Sequence, residues 1–190
     1  MDRNPPVMIT RVNGAEIVAE LMALSARTAP KGRGLDSIII KIITGDDLKA
    51  LADEMRRLKD KHASGFFVRD AANIEQSDAC VLLGCKADNI LGLDCGGCGF
   101  TSCKDMVEAQ KRFDGQGMTY QGPNCIIKMA DLGIAVGSAA KTASIHNADN
   151  RIMYSAGVGA IFLGWMPGCK VAYGIPVKVS GKSIYFDRTA

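Results

Sequence analysis

Histidine is scarce in this chain: His62 and His146 are the two among 190 residues. Neither lies beside a serine or cysteine nucleophile pattern, so hydrolytic triads have no support. An excess of one charge is also missing. Twenty-three basic residues face 20 acidic ones, for a net charge of +3 and no basic stripe, which argues against nucleic acid as a partner. The longest near-uncharged apolar run, Gly157 to Met166, is far short of the roughly 20 residues a membrane helix needs. The opening MDRNPPVMITRVNG lacks the apolar core of a signal peptide. No internal repeat, low-complexity stretch or linker is visible. The expectation is one soluble, cytoplasmic domain, or one domain carrying an insertion.

Cysteine is not scarce. There are seven, and without a secretion signal they argue for metal binding or redox chemistry rather than a disulfide framework. Three fall in LDCGGCGFTSCKD and a fourth follows later, giving Cys95-x2-Cys98-x4-Cys103-x21-Cys125. Four thiolates are what a cubane iron–sulfur cluster requires, and soft thiolates select iron–sulfur or zinc. Gly96, Gly97 and Gly99 allow tight turns at positive φ and bring N–H groups toward such a cofactor. Thr101 or Ser102 can cap a helix from Cys103 to about Phe113, whose dipole favours a Cys103 thiolate. Structural zinc is the rival, because C-x2-C spacing serves it too.

Around this segment the pattern alternates between helix and strand. Asn13 and Glu16 form a capping box for a helix to about Arg27, with Ile17, Val18, Leu21 and Leu24 inward. Leu35 to Ile43 reads as a buried strand. Thr44 and Asp47 cap a helix that buries Leu48, Leu51, Met55 and Leu58 and ends near Gly65. A strand follows at Ala79 to Leu83. Asp131 to about Asn147 is a small-residue helix, placed centrally because it lets neighbouring backbones approach. Asp149 caps a helix over Asn150 to Phe162, and Val171 to Val179 is a strand interrupted at Gly174-Ile-Pro176. The fold class expected is an α+β or α/β sandwich: residues 1–85 and 129–190 form one domain, and 86–128 form an inserted iron–sulfur segment.

Residues 94–125 resemble the four-cysteine [4Fe–4S] domain of Rnf-type electron-transport subunits and of the large subunit of corrinoid iron–sulfur proteins, which also reads C-x2-C-G-x3-C with a distant fourth cysteine. The resemblance implies ligand roles for Cys95, Cys98, Cys103 and Cys125, and electron transfer. A wider similarity rests on ARTAPKGRGLD, FVRDAANIEQSDACVLLG, DLGIAVGSAAKTAS, DNRIMYSAGVGA and YGIPVKVSGKSIYFDR. These segments look like those of a bacterial and archaeal family of ferredoxin-domain-containing proteins; the match carries membership without a reaction. The order helix-Thr-Ala-Pro, strand, Asp-x-Gly-x-Ala helix and Gly-x-Pro is similar to that of nitroreductase-like flavoproteins. This implies FMN and a homodimer. The chain departs where those proteins hold flavin: it has no N-terminal Arg-x-Ser-x-Arg and no Asn-x-Gln-Pro-Trp. Lys31 and Arg33 are the alternatives for a phosphate, against the plainer reading of a solvated loop.

The remaining candidates have plain readings. Cys80 and Cys169 are read as small buried thiols, while Cys85 is open to a role as extra ligand or resolving thiol. His62 ends a charged helix facing solvent, and His146 is a hydrogen-bonded structural histidine. For Arg69-Asp70 and Asp149-Asn150-Arg151, buried ion pairs that fix a loop or a dimer contact explain the charges as well as catalysis does. Trp165 and Phe162 belong to the core. Gly157-Val-Gly159 lacks the third glycine of a dinucleotide fingerprint. The reading is a redox protein, an oxidoreductase if it turns over substrate, carrying one cluster and serving a flavin or a redox partner protein. A zinc- or cluster-binding sensor without turnover is the alternative.

Overall fold

A computed structural model describes residues 13–62, 65–86, 88–115 and 117–186, with the backbone alone for 60–62. In chain order the elements are α1 (Gly14–Thr28), β1 (Ile38–Ile43), α2 (Asp46–His62), α3 (Phe66–Glu75), β2 (Ala79–Cys85), α4 (Cys103–Arg112), α5 (Ile126–Ile145), β3 (Asp149–Asn150), α6 (Tyr154–Phe162) and β4 (Val171–Lys178). The four strands form one antiparallel sheet in the order β1-β2-β4-β3. Because side chains alternate along a strand, β2 feeds both faces. Val81, Leu83 and Cys85 join α1 and α5 on one side. Cys80 and Leu82 join α2, α3 and α6 on the other. The expected mixed helix and sheet sandwich is therefore present.

Asn13 caps α1 by accepting the Ala15 N–H at 3.1 Å, and its own amide donates to Glu16 at 2.9 Å. The buried face differs from the expected one. Ala15, Val18, Ala19, Met22 and Ala26 point inward, while Ile17 is 47% and Leu24 58% exposed. The partner explains this. α5 offers Ala135, Ala139 and Ala143 to the same core, and two alanine-rich faces approach more closely than Ile and Leu would permit.

β1 is half-buried along its middle, not buried throughout, because it is the sheet edge. α2 buries Leu48, Leu51, Met55 and Leu58 as its periodicity requires. α3 has no counterpart in the sequence reading: its Gly65 N-cap provides no side-chain cap bond, so no start signal marks it. α5 begins at Ile126, five residues before the Asp131 start expected. Asp149 and Asn150 pair with β4 instead of opening α6, which starts at Tyr154. β4 runs unbroken through Pro176. That proline falls between the Met153–Gly174 bridge and the Asn150–Val177 pair, where a missing N–H removes no ladder bond on the far side.

Candidate metal centre

The connection from β2 to α5 holds all four cysteines of the motif. Its glycines work as the sequence implies at two positions: Gly96 has φ 71° and Gly99 φ 85°. The Gly99 N–H donates to the Gly96 carbonyl at 2.9 Å, closing a tight turn around Gly97 and Cys98. Asp94 also sits at positive φ, 44°, a conformation that costs a non-glycine residue about 1 kcal/mol or more. Its carboxylate accepts the Cys103 N–H at 2.7 Å, which closes the loop across its two ends. Ser102 caps α4 by accepting the Asp105 N–H at 3.1 Å, so Cys103 is the first helical residue.

The segment carrying the fourth cysteine returns beside this loop. Gln110, buried on α4, donates to the Pro123 carbonyl at 2.8 Å and to Asn124 Oδ1 at 3.2 Å. Cys125 then occupies the N-cap position of α5. Gly97 lies against the next residue: a Cβ there would be 2.7 Å from Ile126 Cγ2 and 3.7 Å from Cys95 Sγ. Two of the four cysteines thus stand at helix N-termini, where N–H groups and the helix dipole favour a negatively charged group. Cys95 is exposed, Cys98 and Cys103 half-buried, and Cys125 buried.

Among the described residues, no three Cys, His, Asp or Glu side chains converge tightly enough to hold one ion. What fits is the donor set and its framework. Four thiols are soft ligands suited to an iron–sulfur group or zinc. Cys125 is 6% exposed and its sulfur takes part in no hydrogen bond among the described residues, and close contacts and bonds hold the segments carrying the cysteines together.

Behind Cys125 lies a buried polar knot that the sequence reading missed. Lys128 is fully buried. Its ammonium donates to the Leu35 carbonyl at 2.6 Å and to Asp131 Oδ2 at 3.1 Å. Asp131 Oδ1 accepts the Gly32 N–H at 2.9 Å. The available signal was the Lys-x-x-Asp spacing, which puts both side chains on one helix face. Cys85 completes the knot, 3.6 Å from the Lys128 carbonyl and 3.8 Å from Ser37 Oγ. Burial pushes its thiol above the ordinary range, against the Ser37 hydrogen bond and the Lys128 charge.

The solvated-loop reading holds for Arg33, which is exposed, and fails for Lys31. Lys31 Nζ donates to the carbonyls of Ala26, Arg27 and Ala29 at the end of α1, and its side chain is 4% exposed. Arg33 donates to the Leu91 carbonyl at 3.0 Å, which pins the start of the cysteine loop. Cys80 and Cys169 are buried as expected; burial raises both thiols, Cys169 to about 12. His146 is exposed and caps α5 through its backbone, donating to Thr142. The side chain of His62 lies outside the described residues. Arg69 pairs with Asp70, whose other oxygen accepts Ser155 Oγ at 2.6 Å, tying α3 to α6. Asp149 accepts the Ile184 N–H, and Arg151 donates to the Tyr185 carbonyl; both hold the C-terminal segment. Trp165 and Phe162 pack partly buried against the α2–α6 core.

The chain and its fold have known relatives. An uncharacterized protein of Archaeoglobus fulgidus is 42% identical over 175 residues, 92% of each chain. Residues 121–188 match the family described as "Uncharacterized protein containing a ferredoxin domain (DUF2148)". The chain belongs to this family of ferredoxin-domain-containing proteins. Its fold is nitroreductase-like. A nitroreductase with bound FMN from Desulfitobacterium hafniense superposes with a TM-score of 0.59 at 9% identity, over 92% of this chain and 82% of that one. For a nitroreductase-like family protein of Bacillus cereus the TM-score is 0.56 at 10% identity, covering 100% and 86%. A BluB-like flavoprotein of Clostridium difficile gives 0.51 at 13% identity, covering 95% and 88%. Among the described residues, no helix is long and apolar enough to cross a membrane.

Proposed function

We propose that the chain is an electron-transfer protein holding one [4Fe–4S] cluster on Cys95, Cys98, Cys103 and Cys125 in a segment, residues 86–128, inserted into a nitroreductase-like domain. The observation that carries this reading is the contact of Gly97 with Ile126. It brings the three-cysteine loop to the residue beside the distant fourth cysteine, which a chain without a shared ligand has no need to do. The family's ferredoxin domain supports it. When bound, such a cluster supplies one-electron storage, its potential set by hydrogen bonds and burial.

The protein's own residues do the rest. Asp94 locks the loop through Cys103, α4 holds the returning segment through Gln110, and the N-termini of α4 and α5 favour negative charge. Cys95, exposed, marks the side where a partner protein approaches to exchange electrons. A reducing, cytoplasmic setting keeps the thiols available. Ile17, Leu24 and Ile145, outward on the α1–α5 layer and 47%, 58% and 64% exposed, suit the cover of a second copy in a homodimer. Lys31 gives all three of its donors to carbonyls and has none left for a flavin phosphate, and no step is assigned to flavin.

Single cysteine-to-serine variants test the ligand set after anaerobic reconstitution with iron and sulfide. Cys103→Ser and Cys125→Ser lose the brown visible absorption, whereas Cys80→Ser and Cys169→Ser keep it. Equal absorption in all four overturns the assignment.

A further inference from the structure

A cavity of about 390 Å³ lies between the end of the cysteine segment and the loop joining α6 to β4, a size within the range of small-molecule sites. Met118, Ile161, Phe162, Met166 and Cys169 give it an apolar, sulfur-rich lining, and Gln121 and Lys170 bring polar groups to it. Its floor is built in. Gly84 of β2 has no side chain, and a Cβ there would meet Cys169 Sγ at 2.8 Å and Met166 Sδ at 3.0 Å. Burial keeps the Cys169 thiol protonated, so the floor stays neutral.

The lysine is the informative group. Lys170 Nζ donates to Gln121 Oε1 at 2.9 Å, a neutral amide. Among the described residues no carboxylate lies within ion-pair distance of it. Lys178 and Lys128, by contrast, each have an aspartate partner. Lys86 lays its aliphatic stem across Gly168, 3.6 Å from where a Cβ would stand, adding a second basic residue beside the lining. A half-buried ammonium held in place by an amide, beside an apolar cavity, is arranged to receive an anion attached to an apolar body. Thioether and aromatic walls favour a planar ring over an alkyl chain.

We infer that this cavity binds a small aromatic carboxylate, its ring between Met118, Phe162 and Met166 and its carboxylate on Lys170. The inference goes beyond the iron–sulfur reading and stands whether or not a cluster is present. Met118, Thr119 and Gln121 of the lining belong to the cysteine segment, so the site shares a wall with it.

The test uses the full chain, purified without oxygen, with 2-naphthoate as probe and 2-naphthalenemethanol as its neutral counterpart. Saturable naphthoate binding is expected, with the alcohol about tenfold weaker. Lys170→Met weakens naphthoate by about tenfold, the size of one charge-assisted hydrogen bond, and leaves the alcohol unchanged; Lys170→Arg keeps naphthoate binding. Met118→Trp, at an exposed position of the lining, blocks both probes without entering the core. Folding of each variant is read by circular dichroism. No saturable naphthoate binding by the folded wild type, or binding indifferent to Lys170→Met, overturns the inference.

Discussion

Gly97 and Ile126 meet so closely that a single methyl group at position 97 would stand 2.7 Å from Ile126 Cγ2. Real Cβ contacts are not that short, so Gly97→Ala must push the loop from the start of α5. The expected result is a protein that keeps its helical content but binds less than half the wild-type iron after anaerobic reconstitution. Ile126→Ala in the same chain makes room and restores iron. Full iron in Gly97→Ala alone would show that the contact does not set the loop.

The buried Lys128–Asp131 pair is expected to bear heavily on stability. Lys128→Met leaves Asp131 charged and buried with only the Gly32 N–H, a loss of about 3–5 kcal/mol. Adding Asp131→Asn removes that charge while keeping an acceptor for Gly32, and recovers a large part. Urea unfolding of the two variants checks this; a double variant no more stable than Lys128→Met would contradict it.

Three buried thiols make the chain sensitive to alkali. Burial raises Cys80, Cys85 and Cys169 above the ordinary thiol value, which is about 8.5 in unfolded chains. Below that pH all three are protonated in both states and contribute no pH dependence. Above it the unfolded chain loses protons that the folded chain keeps, so stability falls as pH rises, for Cys169 by up to about 1.4 kcal/mol per pH unit. For Cys169 the fall continues until pH nears about 12. Denaturant unfolding between pH 8 and 10 is expected to show this slope, shallower by roughly one thiol's share in Cys169→Ala. Equal slopes in the two proteins would contradict it.

How far this was legible in the sequence depends on whether the signal is local. The capped start of α1, the apolar stripe of α2 and the Ser102 cap of α4 are short-range patterns, and the structure follows them. The exposure of Ile17 and Leu24 is not local: the alanine face of α5 (more than a hundred residues on) takes the inward side of α1. β1 reads as buried from composition, yet strand order makes it an edge. At the cysteines, spacing places the turn and the helix. Neither the Asp94–Cys103 bond nor the Gly97–Ile126 contact has a sequence signature, because the first depends on the positive φ of Asp94 and the second on where α5 begins. Lys128 is invisible for the same reason, a lysine at an unremarked helix start until Leu35 and Asp131 surround it.

Gly157 is expected to be the least replaceable glycine in the domain. A Cβ there would lie 1.9 Å from the Ala172 carbonyl oxygen and 2.6 Å from the Tyr173 Cα, all backbone of β4 that cannot rotate aside. Gly157→Ala must separate α6 from the sheet, at a cost of about 3 kcal/mol or more. Gly133→Ala on the open side of α5, where nothing lies within 4 Å, is expected to be neutral or slightly stabilising. Thermal melts of the two variants compare them directly, and equal melting temperatures would contradict the packing described.

The most direct measurement is the iron and acid-labile sulfide content of the wild-type chain purified without oxygen, read with its visible spectrum. The account predicts a brown protein with about four irons and about four sulfides per chain, bleached by dithionite. A colourless protein containing one zinc per chain and no sulfide would contradict it.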